Sequence, residues 1–285
     1  MARWKKLAVF GPGLLGGSIL LAARERNLAS ELAVWARRPE ALDEVAQRVP
    51  GCLTTCDAAA AARGADLVVL CTPVGAMADV TRALRPALSP GTLVTDVGSV
   101  KGSVETALAP LLHGRARWIG SHPMAGGEMQ GISAARASLF EGSTVVVTPT
   151  GSTPPDSRDE AASFWEQTGA RVIDLDPATH DRLVAEISHL PHLMAALLVG
   201  VSSPASRGLA GGGFRDTTRV AAGSPKMWRE IFEQNREATL AALDRLLEGA
   251  GHVRRLLSEN RGGELEALLA SAAEIRQSLR FSHHE

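Results

Sequence analysis

The chain has 285 residues, 30 lysines and arginines against 31 aspartates and glutamates, and 45 % hydrophobic residues. That length suits one large or two modest domains, and the balanced charge leaves no net field to draw the chain to nucleic acid or an anionic membrane. Its longest apolar runs read as broken by charges or prolines short of membrane-spanning length, and "MARWKKLAVF" reads as the approach to a strand rather than a signal peptide.

Short β-branched runs then alternate with amphipathic stretches. The strand patterns are "KLAVF", "ELAVWA", "ADLVVLC", "GTLVTDV", "ARWIG", "STVVVT" and "ARVIDL", with helical spacing at 15–27, 39–48 and 160–168. This alternation predicts an α/β domain, a Rossmann-type doubly wound parallel sheet with helices on both faces, over residues 1–176. "TGSTPPDSRD" (150–159) has a linker's composition, but a helix and a strand pattern follow it, so it is placed as a surface loop inside this domain. The three cysteines, Cys52, Cys56 and Cys71, form no CxxC pair, which predicts reduced thiols and a cytoplasmic location.

Beyond Asp176-Pro177 the patterns turn helical, which predicts an all-helical domain over 177–285. Leu183, Ile187, Leu190, Met194, Leu197 and Val201 recur at helical spacing across 178–202. A second helix opens with Ser224 as N-cap and Pro225 in its first turn, and runs to about Gly249. A last stripe, Leu265, Leu268, Leu269, Ala272, Ile275 and Leu279, is either intrachain core or a subunit interface. The small helical domain favours the interface, and so a homodimer through these C-terminal helices.

Several motifs carry chemistry. Gly11-x-Gly13-x-x-Gly16 lies between a strand and a helix, the context a dinucleotide loop requires. Gly11 allows the turn, Gly13 lets backbone approach the pyrophosphate, and Gly16 permits close helix–strand packing, while Leu14 and Leu15 open the helix whose amides face the phosphates. The second strand ends without the acid an NAD site uses; Arg37 and Arg38 stand there instead. They suit the 2′-phosphate of NADP, with NAD still open, although exposed arginines also serve solubility. Thr72, Pro73, Asp96 and Ser99 follow later strand ends and are candidates to line the nicotinamide, with a turn cap as the other role for Asp96.

His122 is a titratable imidazole at the end of a short strand, fixed by Pro123 and followed by Gly126, Gly127 and Glu128. In "AEISHLPHLMAA", Ser188 and His192 fall four apart on one helical face among small alanines, Pro191 predicts a kink, and His189 points elsewhere as a structural histidine. His192 alone could equally be a satisfied core histidine. No ligand spacing for a metal is present. "GLAGGGFRDTTR" (208–219) reads as a glycine-rich loop presenting Arg215, Asp216 and Arg219, and an arginine fork suits a carboxylate.

Taken in order and spacing, "GPGLLGGSI", "DVGSVKG", "GSHPMAG", "ISHLPH" and "GGGFRDTTRVA" with "PKMW" resemble the prephenate/arogenate (cyclohexadienyl) dehydrogenases of tyrosine biosynthesis, over nearly the whole chain. The resemblance implies oxidative decarboxylation of a cyclohexadienol. His122 would accept a hydrogen bond from the ring 4-hydroxyl while hydride leaves that carbon for the nicotinamide and the ring carboxylate departs as CO2. Such a base calls for a neutral imidazole near its unperturbed pKa. Ser99 would assist at the same hydroxyl, Arg219 would hold a substrate carboxylate, and Ser188 and His192 would line the substrate cleft. Gly127 stands where many relatives carry serine or threonine. No regulatory domain follows the helical one in this sequence, so any feedback by tyrosine would act at the active site. Glu128 could pair with the ammonium of arogenate and so favour it over prephenate, or could only cap a following helix. A β-hydroxyacid dehydrogenase would want a lysine within 178–202, which has none; a non-catalytic dinucleotide sensor would not need His122, Ser188, His192 and Arg219 together.

Overall fold

A computed structural model describes residues 3–127, 129 and 131–279. The early β-branched runs form β1 (Trp4–Phe10), β2 (Ala29–Trp35), β3 (Leu53–Thr55), β4 (Leu67–Leu70), β5 (Leu93–Asp96) and β6 (Arg117–Trp118), a parallel sheet in the order β3-β2-β1-β4-β5-β6. Between them lie α1 (Leu14–Glu25), α2 (Glu40–Arg48), α3 (Ala58–Ala62), α4 (Val74–Leu84) and α5 (Gly102–Leu112). Side-chain alternation sorts each strand between two cores. Val9, Val34 and Val69 face Ile19, Leu20 and Phe164; Phe10, Val68 and Leu70 face Met77, Leu84 and Leu108. Burial on both faces is why these strands read as unbroken apolar runs. The strand β3 had no legible pattern: it is three residues long and Leu53 is exposed.

Register places the site. Phe10 pairs with Trp35 on one side and Leu70 on the other, and Leu70 pairs with Asp96. The carboxyl ends of β1, β2, β4 and β5 are therefore level, so Gly11, Ala36, Cys71 and Val97 emerge side by side. The order of connections reverses between β1 and β4, the crevice where open α/β sheets bind ligands.

The later strands depart from the all-parallel expectation. "ARWIG" is not one strand: the chain leaves the first sheet after Trp118 and enters a second at Gly120. There β7 (Gly120–Pro123) runs antiparallel to β8 (Thr144–Thr148), which runs parallel to β9 (Arg171–Asp174), with α6 (Pro155–Gln167) preceding β9. Glycine is needed at the crossover, because a Cβ on Gly120 would lie 2.6 Å from Thr148 Oγ1.

After Asp176, which N-caps α7 (Pro177–Val184), the described residues are helical or irregular. A π turn (Ala185–His189) joins α7 to α8 (Leu190–Val201), followed by α9 (Pro204–Arg207), α10 (Gly212–Thr218), α11 (Pro225–Gln234), α12 (Arg236–Ser258) and α13 (Gly262–Ser278). The expected kink at Pro191 takes the form of that π turn. Proline lacks the N–H for an α-helical bond to the carbonyl of Ile187 and its ring crowds that carbonyl, so the preceding turn widens. The glycine-rich stretch expected to be a loop is helical over Gly212–Thr218. The helix expected from Ser224 to Gly249 is two helices: Ser224 and Pro225 start α11 as read, but Asn235 leaves helical geometry (φ −115°, ψ 38°) and α12 runs through Gly249 to Ser258. By length and composition alone, Pro177–Val201 qualifies as a membrane span, contrary to the sequence expectation. Its His180, Asp181, His189 and His192, however, are buried in the contacts described next, and Arg182 and Glu186 are exposed.

Candidate active site

The glycine loop is a cradle for a dinucleotide. Gly11 has φ +107°, and a Cβ there would meet the Cys71 carbonyl oxygen at 2.8 Å. A Cβ on Gly16 would lie 2.0 Å from the Gly11 oxygen, so α1 packs on the loop only because the side chain is absent. Gly13 has open space beside it, through which a phosphate can reach the backbone, and no side chain caps α1. The amides at Leu14 and Leu15 therefore begin the helix ready for an anion. At the adjacent strand end, Thr72 Oγ1 is buried without a hydrogen-bond partner, beside Pro73, the N-cap of α4. Arg37 and Arg38 are exposed just beyond β2. These residues fit a nicotinamide dinucleotide.

Asp96 does not line that cleft. It is fully buried, forms an ion pair with Lys101, and accepts from the amides of Gly98 (2.8 Å) and Ser121 (2.9 Å). Lys101 Nζ also donates to the Ser121 carbonyl at 2.7 Å. Burial lowers the Lys101 pKa, with Asp96 opposing the shift. The pair thus clamps the end of β5, with half-buried Ser99 just after it, to the strand that carries His122.

His122 lies opposite Val146 in the second sheet and is 9 % exposed. Its Nδ1 is 2.8 Å from Nε2 of His180, whose Nδ1 is 2.8 Å from Asp181 Oδ1. Asp181 also accepts from the amides of Lys101 (2.7 Å) and Gly102 (2.8 Å). Burial pushes its carboxyl up, but the bonds from His180 and these amides outweigh it and hold the group below the usual carboxylate range. An ionised carboxylate only accepts, so His180 carries its proton on Nδ1 and offers Nε2 to the N–H at Nδ1 of His122. Nε2 of His122 is left bare, as a proton acceptor must be. Burial, reinforced by His180, Lys101 and His189, holds the His122 pKa well below the usual imidazole value, not near it as the sequence reading required. The imidazole is accordingly neutral at neutral pH. The loop after it reaches the cofactor cradle: a Cβ on Gly127 would lie 3.7 Å from Leu14.

The helical domain closes the other side. His192 is 6 % exposed and stacks on Trp228, ring centroids 3.7 Å apart at 14°, with its Nδ1 buried and unpaired. Both line a groove of ≈ 550 Å³ together with Phe232 and Gly223. His189 does not point away as expected; the π turn adds a residue to the spacing and buries it between Asn235, Trp228 and Phe232. Ser188 is half-buried beside it. Arg219 is exposed, is engaged by a neighbouring group, and begins a 3₁₀ turn (Arg219–Ala222) that packs on α8. Arg215 and Asp216 pair with each other at the surface. Glu128 lies outside the described residues. Sequence reasoning missed His180, Asp181, Lys101 and Asn235. The adjacent His-Asp at the start of the helical domain was the available signal.

Residues 26–174 match the family described as prephenate dehydrogenase, nucleotide-binding domain, and 176–271 match prephenate dehydrogenase, dimerization domain. A cyclohexadienyl dehydrogenase of Zymomonas mobilis is 33 % identical over 99 % of both chains. The crystal structure of prephenate dehydrogenase from A. aeolicus with hydroxyphenyl propionate and NAD+ is 30 % identical, with TM-score 0.91 over 97 % of this chain and 98 % of that one. Synechocystis arogenate dehydrogenase is 31 % identical, with TM-score 0.83 over 95 % of this chain and 99 % of that one.

Proposed function

Because the chain belongs to the prephenate dehydrogenase family, we propose that it oxidises and decarboxylates arogenate and prephenate in tyrosine biosynthesis, with NADP as the preferred hydride acceptor. The observation that carries the catalytic assignment is the relay Asp181–His180–His122, which ends in a bare, neutral Nε2 on β7, the strand whose following loop lies against the glycine cradle.

The bound nicotinamide supplies the hydride acceptor. His122 takes the hydrogen bond of the ring 4-hydroxyl, and as hydride leaves that carbon its Nε2 draws the proton away. The relay spreads the resulting positive charge toward Asp181. Breaking the bond to the ring carboxylate releases CO2, its electron pair makes the ring aromatic, and His122 returns the proton to the phenol oxygen. Ser99, after the clamped end of β5, assists at the hydroxyl. Ser188, His192 and Arg219 hold the carboxylate-bearing end of the substrate. Arg37 binds the 2′-phosphate of NADP, with Arg38 adding positive charge, since Trp35 and Ala36 occupy the strand end where an NAD site uses an acid.

The active form is a homodimer through the C-terminal helices. Leu197 and Val201 on α8, Leu247 and Leu257 on α12, and Leu269 and Ile275 on α13 are all exposed in the single chain, and the matching helices of a second copy would cover them.

The test is absorbance at 340 nm with each dinucleotide and each substrate, with product identified chromatographically. Tyrosine from arogenate or 4-hydroxyphenylpyruvate from prephenate, formed one-to-one with reduced nicotinamide, is the expected result. No reduction with either substrate would refute the assignment.

A further inference from the structure

One helix of the second domain reaches the strand ends beside the glycine cradle. A Cβ on Gly11 would come within 3.2 Å of the Thr72 amide nitrogen, so the end of β4 and the start of α4 border the cradle directly. Facing that start is α11. Its Ile231 is buried in the core formed with α4 and α5, Trp228 packs on the same core, and Gln234 accepts from Ser103 Oγ at 3.0 Å. These contacts set Glu230 over the first turn of α4. A Cβ on Gly75 would lie 3.3 Å from Glu230 Oε2 and 4.0 Å from Gln234 Nε2, so a side chain at that position would crowd the carboxylate. Glu230 is half-buried and, among the described residues, has no hydrogen-bond or ion-pair partner. The helix α4 has no acidic residue in its own first turn and no side-chain cap. Its N-terminus therefore presents the positive end of the helix dipole with no charge of its own to offset it.

We propose that Glu230 is a specificity-determining residue that makes the cleft favour the oxidised dinucleotide over the reduced one. The inference deepens the cofactor reading above and rests on it, but not on the identity of the substrate. The nicotinamide ring is a cation before hydride arrives and neutral afterwards, while the rest of the dinucleotide keeps its charge. Thr72, whose hydroxyl is buried and unpartnered, and Pro73 stand within one turn of Gly75, at the end of the cleft assigned to the ring. A bare helix N-terminus there would repel the ring in its cationic form. A carboxylate brought across from the helical domain cancels that field and attracts the ring only while it is charged. The oxidised cofactor is thereby held for reaction, and the reduced one loses the attraction once hydride has arrived.

The test is dinucleotide binding without substrate, so that no turnover occurs. Calorimetry gives the affinities of the unmodified protein and of Glu230→Gln for NADP, NADPH and 2′-phospho-ADP-ribose, which lacks the ring, with NAD, NADH and ADP-ribose as a second series. Glu230→Gln should weaken the oxidised form about threefold or more, as for a partly screened charge pair, and leave the reduced and ring-less ligands nearly unchanged. Glu230→Asp, which keeps the charge, should retain most of the preference. An equal loss for all three ligands would overturn the proposal and leave Glu230 as a contact between the domains; no change for any of them would overturn it as well. Thermal melting without ligand confirms that the variants are folded. The unmodified protein supplies a reading that needs no variant: it should bind the oxidised form no more weakly than the reduced, and a clear preference for the reduced form would contradict the proposal. Failure of the 340 nm assay would instead count against the substrate assignment, leaving these affinities to decide the role of Glu230.

Discussion

Replacing His180 with asparagine isolates the relay. The shorter amide takes the place of the Nδ1 edge of the ring and can still donate to Asp181, which keeps the Lys101 and Gly102 amides as partners. Nothing then reaches Nδ1 of His122, now bonded at 2.8 Å. His122 loses the acceptor that fixes its tautomer and the link that shares its positive charge with Asp181. A hydrogen bond involving a charged group contributes about 1.5–3 kcal/mol, and at 1.36 kcal/mol per factor of ten this corresponds to a kcat lower by about 10- to 150-fold. KM should stay within a few-fold, because the bond matters only once His122 carries the proton. The assay is initial-rate kinetics at 340 nm with saturating dinucleotide, with thermal melting alongside to confirm that the variant is folded. A folded His180→Asn protein with kcat within threefold of the original would refute the relay.

Other outcomes follow from the same geometry. Arg37→Ala should raise KM for NADP at least about tenfold, as for loss of a charged hydrogen bond, and leave NAD nearly unchanged; parallel titrations of both dinucleotides check this, and equal effects on the two would remove Arg37 from the phosphate site. Arg219→Ala should raise the KM for substrate more than it lowers kcat, the signature of a ground-state carboxylate contact. Stability should fall on the acid side. His122, His189 and His192 all have folded pKa values below that of a free histidine, so their contribution is present above pH ~6.5 and is lost as the unfolded chain takes up protons below it. For His189, whose folded value is about 4, this amounts to about 2 kcal/mol between pH 7.5 and pH 5. Urea denaturation at the two pH values measures it, and an unchanged midpoint would show that these histidines are not buried neutral.

What was legible in the sequence is what local pattern dictates. The strands β1, β2, β4 and β5 are apolar runs bounded by turn residues, and the glycine loop has a spacing that only a tight strand-to-helix turn requires. Ser224 and Pro225 announced α11 for the same local reason. The site's second half depends on contacts distant in sequence. His122 meets His180 across 58 positions and Asn235 meets Asp181 across 54, and no periodicity carries such pairings. Helical spacing even misdirected the reading of His189, because the π turn before Pro191 shifts the face it occupies. Asp96 read as either a ligand-lining acid or a turn cap; it does accept from the Gly98 amide two residues on, as a turn cap does, but the buried Lys101 that also engages it had no legible signal.

The account's central claim is that Nε2 of His122 accepts the hydroxyl proton as hydride leaves. His122→Asn tests it most directly, through kcat and KM measured at 340 nm with the better of the two substrates and a saturating dinucleotide. The predicted result is a kcat lower by about 10²–10⁴-fold, the usual cost of removing a general base, with KM changed only a few-fold. A fall in kcat of threefold or less, or a loss that appears in KM alone, would contradict it and leave His122 as a structural residue of the second sheet.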